Sequence, residues 1–142
     1  MGKRISILVV DDHTAVREGL KAVLVLQPDM EVVGEASDGA EAIAETARLQ
    51  PNIVILDVLM KPMGGIDACR VIKSRWPSIK VLIMSELKQA SIIRRAVVAG
   101  ADGYLSKEVN MELVCQALRT LHAGGMVLPG DMGSRLVGEG EP

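Results

Sequence analysis

At 142 residues the chain suits one domain with one core. With 49% hydrophobic and 24% charged residues it should fold rather than stay disordered, and a net charge of -2 argues against a strongly basic nucleic-acid face in this segment. No apolar stretch is long enough to span a bilayer, and Trp76 and Tyr104 are the only aromatics, so the core must be Val, Ile, Leu, Ala and Met.

In chain order, Met1-Gly2-Lys3-Arg4 runs into a strand-like segment at 4–10 with no signal peptide visible, so the expected location is cytoplasmic. That segment ends at Asp11-Asp12. Residues 14–26 carry Val16, Leu20, Val23 and Leu24 at helical spacing and stop before Pro28. A shorter strand at 31–35 reads as an edge. A helix at 38–49 follows, with Ala40, Ile43, Ala44 and Ala47 on one stripe and Ser37 or Asp38 as its cap. The run 52–56 is a buried strand ending at Asp57. A helix at 65–75 precedes Pro77, and a second continuous apolar strand, 80–84, ends at Ser85. A helix at 88–99 ends at Gly100, a suitable C′ residue. Tyr104 lies in the strand 103–105, with Lys107 just beyond. The helix 110–123 opens on Asn110 as N-cap, carries Glu112 in its first turn and ends at Gly124-Gly125. Residues 126–142, with Pro129-Gly130 and one apolar patch at Leu136-Val137, read as a linker.

Strand and helix thus alternate five times, which predicts an α/β fold: a doubly wound parallel sheet covered by helices on both faces. The pattern alone does not fix strand order. The carboxyl ends of parallel strands share one edge, where ligands bind in open α/β sheets. Asp11, Asp12, Asp57, Ser85 and Lys107 would meet there. At an effective dielectric of about 20, two like charges about 4 Å apart repel by roughly 4 kcal/mol. Lys107 offsets one of the three carboxylates, and a hard divalent cation such as Mg²⁺ would offset the rest. A carboxylate can also act as nucleophile toward a phosphoryl group. Taken singly, each residue has a plainer reading: an Asp as turn or cap, Ser85 as a turn hydroxyl, Tyr104 as a half-buried strand aromatic, Lys107 as a solvated charge. Their joint placement at strand ends favours a site. Cys69 and Cys115 read as buried packing residues, and His13 and His122 as too isolated for a metal site.

Val9-Val10-Asp11-Asp12-His13, Ile55-Leu56-Asp57-Val58-Leu59-Met60, Ile83-Met84-Ser85 and Ala101-Asp102-Gly103-Tyr104-Leu105-Ser106-Lys107 resemble a two-component response regulator receiver domain over residues 4–123. The stretch Gly103–Glu108 and the helix after it most resemble the NarL/LuxR (FixJ) family. The resemblance implies a flavodoxin-like (βα)5 fold with strand order 2-1-3-4-5, a receiver domain at 1–125, and a linker at 126–142 toward a helix-turn-helix output domain absent from this chain. It implies that Asp57 accepts a phosphoryl group. Asp12, Asp57 and the backbone carbonyl of Leu59 would bind Mg²⁺, with Asp11 acting through water. Ser85 and Lys107 would contact the phosphoryl oxygens, and Tyr104 would turn inward as Ser85 moves. The expected role is that of a signalling switch rather than an enzyme. The expected partners are a histidine kinase and a second copy of the chain, with DNA bound only through the output domain and no membrane contact. Val97, Val98 and Leu118 are candidates for the face between copies.

Two places depart from the family pattern. Proline stands one position late in Met60-Lys61-Pro62-Met63-Gly64-Gly65, in the loop that presents the Leu59 carbonyl, and Glu86 follows Ser85 where a small or apolar residue is usual. They keep open a receiver that acts as an interaction module without phosphorylation. A dehalogenase-like phosphatase would also use an Asp nucleophile and Mg²⁺. It would need a second acid two residues on, where this chain has Leu59.

Overall fold

The computed structural model describes residues 3–129, within which five strands and five helices alternate. They are β1 (Ile5–Val10), α1 (Thr14–Leu24), β2 (Met30–Ala36), α2 (Gly39–Leu49), β3 (Ile53–Leu56), α3 (Gly65–Arg75), β4 (Lys80–Ser85), α4 (Ala90–Val98), β5 (Gly103–Ser106) and α5 (Met111–His122). All neighbouring strands are parallel, in the order β2-β1-β3-β4-β5. This is the flavodoxin-like order implied by the resemblance. β2 is an edge strand, as its shorter apolar run suggests.

Side chains alternate across a strand, so the continuous apolar runs divide between two cores. Leu8, Val10, Val54, Leu56, Val81 and Ile83 face α2, α3 and α4, where Ala42, Cys69, Ile72, Ile93 and Ala96 meet them. Ile7, Val9, Ile53, Ile55, Leu82 and Met84 face α1 and α5, against Leu20, Leu24, Val114, Leu118 and Leu121. Burying one such side chain contributes roughly 1.5–3 kcal/mol, so the two layers hold the sheet edge in place without aromatic bulk.

Several boundaries differ from the sequence reading. α1 ends at Leu24, before Pro28 is reached, because the chain tightens into i→i−3 bonds: Leu26 N–H donates to the Val23 carbonyl and Gln27 N–H to that of Leu24. Asp38, rather than Ser37, caps α2 by accepting from Glu41 N–H at 2.9 Å. Asn110 caps α5 through Leu113 N–H at 2.9 Å, and Gly100 adopts a φ of 102° after α4. α4 starts at Ala90, two residues late. Leu118 corrects an expectation: it is fully buried among the α5 core residues and presents nothing to a second copy, whereas Val98 is 79% exposed.

Both cysteines are free and buried, as their apolar surroundings suggest, and burial pushes the Cys69 thiol up to about 12. At the edge opposite the site, Lys73 Nζ donates to Asp102 Oδ2 and to the Pro77 and Ile79 carbonyls, each at 2.9 Å. Asp102 also accepts from Val81 N–H, which ties α3 to β4 and the β5 entry. Val127, placed by sequence in the linker, bonds the outer edge of β5: Tyr104 N–H donates to its carbonyl at 2.8 Å, and its own N–H donates to Asp102 O at 3.1 Å. The rest of the expected linker, 130–142 with Leu136-Val137, lies outside the described residues. Among the described residues no helix is long and apolar enough to cross a membrane.

Candidate functional site

Strand order reverses between β1 and β3, and at that point the site forms. Parallel pairing brings Val10 opposite Leu56, so Asp11 and Asp57 leave the sheet side by side. Asp57 N–H donates to Val10 O at 3.2 Å, and Lys107 N–H to Ser85 O at 3.0 Å, which levels the four strand ends. Asp11, Asp57 and Ser85 are buried at 2%, 5% and 1% exposure, an uncommon state for carboxylates without a built partner.

Lys107 is that partner. Its Nζ donates to Asp11 Oδ2 at 2.7 Å and lies 3.3 Å from Asp57 Oδ2. Burial pushes the Asp57 carboxyl above its usual range; the ammonium opposes this and the Asp11 charge adds to it. Burial also resists ionisation of Asp11, but hydrogen bonds from Lys107 and His13 outweigh it and hold that carboxyl below its usual range. The Lys107 ammonium is likewise held up by its two carboxylates against the cost of burial. One fixed cation therefore sits between two buried anions, with a third anion, Asp12, at the rim.

His13 is at the site, which corrects the view of it as isolated. Its Nδ1 lies 3.0 Å from Asp11 Oδ1 and 3.0 Å from Asp12 Oδ1. One ligand atom each from Asp11, Asp12, His13 and Asp57 falls within 4.8 Å of the others. The adjacency of His13 to two acids was the signal in the sequence.

Ser85 and Tyr104 meet on one turn. Ser85 Oγ accepts from Leu87 N–H at 3.0 Å, while Tyr104 Oη donates to Leu87 O at 2.7 Å. Tyr104 is only 1% exposed, so its ring already points inward, and burial raises its phenol above the ordinary range. Trp76 caps the far end of α3, away from this edge.

The loop after Asp57 keeps close to β3 despite the shifted proline. The Lys61–Pro62 bond is cis, Gly39 N–H donates to Met63 O at 2.9 Å, and Gly65 N–H donates to Val58 O at 3.0 Å. Leu59 is 61% exposed, and a hydrogen bond from its backbone favours the ionised Asp57. A Cβ on Gly65 would lie 1.9 Å from the Asp57 carbonyl oxygen, so only glycine fits there. Gly65→Ala is expected to lower stability by about 3 kcal/mol in urea titration, because backbone rather than a flexible side chain must yield. Lys61 and Glu86 both face solvent. Glu86 stands with Asp57 and Lys107 around a cavity of about 510 Å³ between α1 and α5, whose wall is otherwise mainly apolar, including Val16, Leu20, Met84 and Met111.

Residues 7–119 match the family described as the response regulator receiver domain. Among curated proteins, the chain is 36% identical over 95% of its length to the transcriptional regulatory protein LnrK of Bacillus subtilis, covering 61% of that protein. It is 39% identical over 87% of its length to the response regulator protein VraR of Staphylococcus aureus, covering 59% of it. The chain therefore spans about three-fifths of the length of these relatives. Among solved structures, a LuxR-family two-component response regulator from Aurantimonas superposes with a TM-score of 0.88 at 31% identity, over 96% of this chain and 98% of that one. A LuxR-family DNA-binding response regulator from Staphylococcus aureus superposes with a TM-score of 0.79 at 26% identity, over 83% of this chain and 98% of that one.

Proposed function

The chain belongs to the response regulator receiver domain family, and from that premise we propose that Asp57 accepts a phosphoryl group in a Mg²⁺-dependent transfer from a histidine kinase or a small phosphodonor. The observation that carries this is the Lys107 ammonium held 2.7 Å from Asp11 and 3.3 Å from Asp57 at a buried sheet edge. Phosphoryl transfer needs positioning and charge neutralisation more than covalent help. An Asp57 oxygen forms the new bond to phosphorus as the donor's P–N or P–O bond breaks. Lys107 and the Ser85 hydroxyl then take phosphoryl oxygens.

The donor set fits a hard divalent cation: carboxylates of Asp11, Asp12 and Asp57 lie within 4.8 Å of one another. Asp12, Asp57 and the Leu59 carbonyl would hold Mg²⁺, with Asp11 reaching it through water. Once bound, the ion neutralises charge on the phosphoryl oxygens.

The turn at Leu87 supports the switch. Ser85 Oγ and Tyr104 Oη bond opposite sides of its backbone, so drawing Ser85 toward a phosphoryl group releases Leu87 N–H and moves the turn that Tyr104 holds. We read residues 1–125 as the receiver and 126–142 as a linker to an output domain that binds DNA and controls transcription. The protein acts in the cytoplasm as a switch rather than as an enzyme on external substrates, and phosphorylation favours a homodimer.

Acetyl phosphate with Mg²⁺, followed by intact mass and light scattering, tests both parts. The expected result is one phosphoryl group per chain and a doubling of scattering mass, with no labelling in EDTA. An unlabelled chain would overturn the acceptor chemistry, and a labelled monomer would overturn the dimer.

A further inference from the structure

We propose that Arg17 is a positioning residue for the cation site: it clamps the peptide that joins Asp11 to Asp12, and Glu35 of β2 acts through it. This rests on the reading of the cluster as a divalent-cation site and deepens it.

The ladder between β1 and β2 ends at Val10 and Ala36, and the site begins one residue later. Asp11 N–H still reaches β2, donating to Ala36 O at 3.1 Å. The carbonyl of the same residue is taken by the first turn of α1 instead, where Arg17 Nη1 donates to Asp11 O at 2.5 Å. A peptide unit is planar, so fixing that carbonyl also fixes the N–H and Cα of Asp12. Asp12 gains most from this, because its side chain stands 39% exposed at the rim.

The guanidinium is itself held in place. Nε donates to Glu35 Oε1 at 2.9 Å and Nη2 to Thr14 Oγ1 at 3.3 Å, and the Arg17 side chain is 15% exposed. Lys21, one turn further along α1, donates to Glu35 Oε2 at 2.7 Å, so both oxygens of that carboxylate are engaged. Lys21 and then Arg17 hold the Glu35 carboxyl below its usual range. A planar fork of donors can serve a carboxylate and a carbonyl together in one fixed geometry, which an ammonium on a flexible stem does not. The Asp11 backbone is thus tied to β2 twice, directly at Ala36 and through Arg17 at Glu35. A partly exposed ion pair contributes little to stability by itself. This one sets where two carboxylates leave the chain.

The test is Mg²⁺ titration by calorimetry at fixed pH and salt, for the parent, Arg17→Ala, Arg17→Lys, Glu35→Ala and the Arg17→Ala/Glu35→Ala double variant, with folding verified by circular dichroism. Arg17→Ala is expected to weaken Mg²⁺ binding about tenfold, the lower end of what groups that orient metal ligands contribute. Arg17→Lys should recover part of that loss. Glu35→Ala should weaken binding less, and adding it to Arg17→Ala should cost nothing further, because its effect passes through the guanidinium. Arg119→Ala, which removes the Arg119–Asp29 pair away from the site, should bind as the parent does and so controls for a general loss of stability. Parent-like affinity in Arg17→Ala overturns the clamp, while Mg²⁺ binding by the parent leaves the cation site standing. If Arg17→Ala does not fold, parent-like affinity in both Arg17→Lys and Glu35→Ala has the same meaning. Additive losses overturn the link through Glu35. A parent that binds no Mg²⁺ overturns the cation site and the clamp with it.

Discussion

Asp57→Asn is expected to take up no phosphoryl group and yet to unfold at higher denaturant than the parent. The first result follows from the chemistry: an amide oxygen cannot form the acyl phosphate, so labelling by acetyl phosphate and Mg²⁺ falls to background. Persistent labelling would place the acceptor elsewhere. The second follows from charge. Asp57 is almost fully buried, close to Asp11 and Asp12, and its carboxyl is held above the usual range chiefly by burial. A carboxyl whose folded pKa exceeds its unfolded value stabilises most when protonated, and that stability is lost as pH rises through the folded value. Near neutral pH the ionised group therefore opposes folding, and replacing it relieves that cost. The variant loses the 3.3 Å contact to Lys107, but Lys107 keeps its shorter bond to Asp11. A net gain of about 1 kcal/mol in metal-free urea titration is expected, of the size that function commonly costs at a strained site. The gap should narrow as pH falls toward the ordinary carboxylate range. A destabilised Asn variant would show that the Lys107 contact outweighs burial and repulsion.

Lys107→Ala is expected to act in the opposite direction and more strongly. It removes the ammonium from between two buried carboxylates, and breaking a buried pair by deleting one partner typically costs about 3–5 kcal/mol. Here the lower end, about 3 kcal/mol, is expected, because Asp57 can take up a proton. Phosphoryl transfer should fail as well, since the cation proposed to meet the phosphoryl oxygens is gone. A double-mutant cycle separates the causes. In an Asp11→Asn background the same lysine substitution should cost markedly less, because one stranded anion has already been removed. Equal costs in both backgrounds would mean that Lys107 supports the fold through its stem rather than through its charge.

The site and the fold were legible in the sequence to different depths. Nearly continuous apolar runs at 4–10, 52–56 and 80–84 read as strands covered on both faces, and the structure places them at Ile5–Val10, Ile53–Leu56 and Lys80–Ser85. Asp11, Asp12, Asp57, Ser85 and Lys107 were then readable as one cluster, because strand ends in a parallel sheet share an edge. Helix ends were less legible. α1 stops at Leu24 through i→i−3 bonds that no single residue type announces, and Val127 adds to the β5 edge from a stretch that looks like linker.

By itself the sequence determined element types, the two-sided core and which residues reach the functional edge, because periodicity and turn chemistry are local. Tertiary structure alone decided what those residues do to one another. Asp11, at the end of β1, and Lys107, past the end of β5, are 96 positions apart, and only the packed sheet shows that the ammonium bonds Asp11 more closely than Asp57. The same packing turned Leu118 from a candidate surface residue into core. Distances of that order set charge balance, and they are fixed by the packing of strands and helices far apart in the chain.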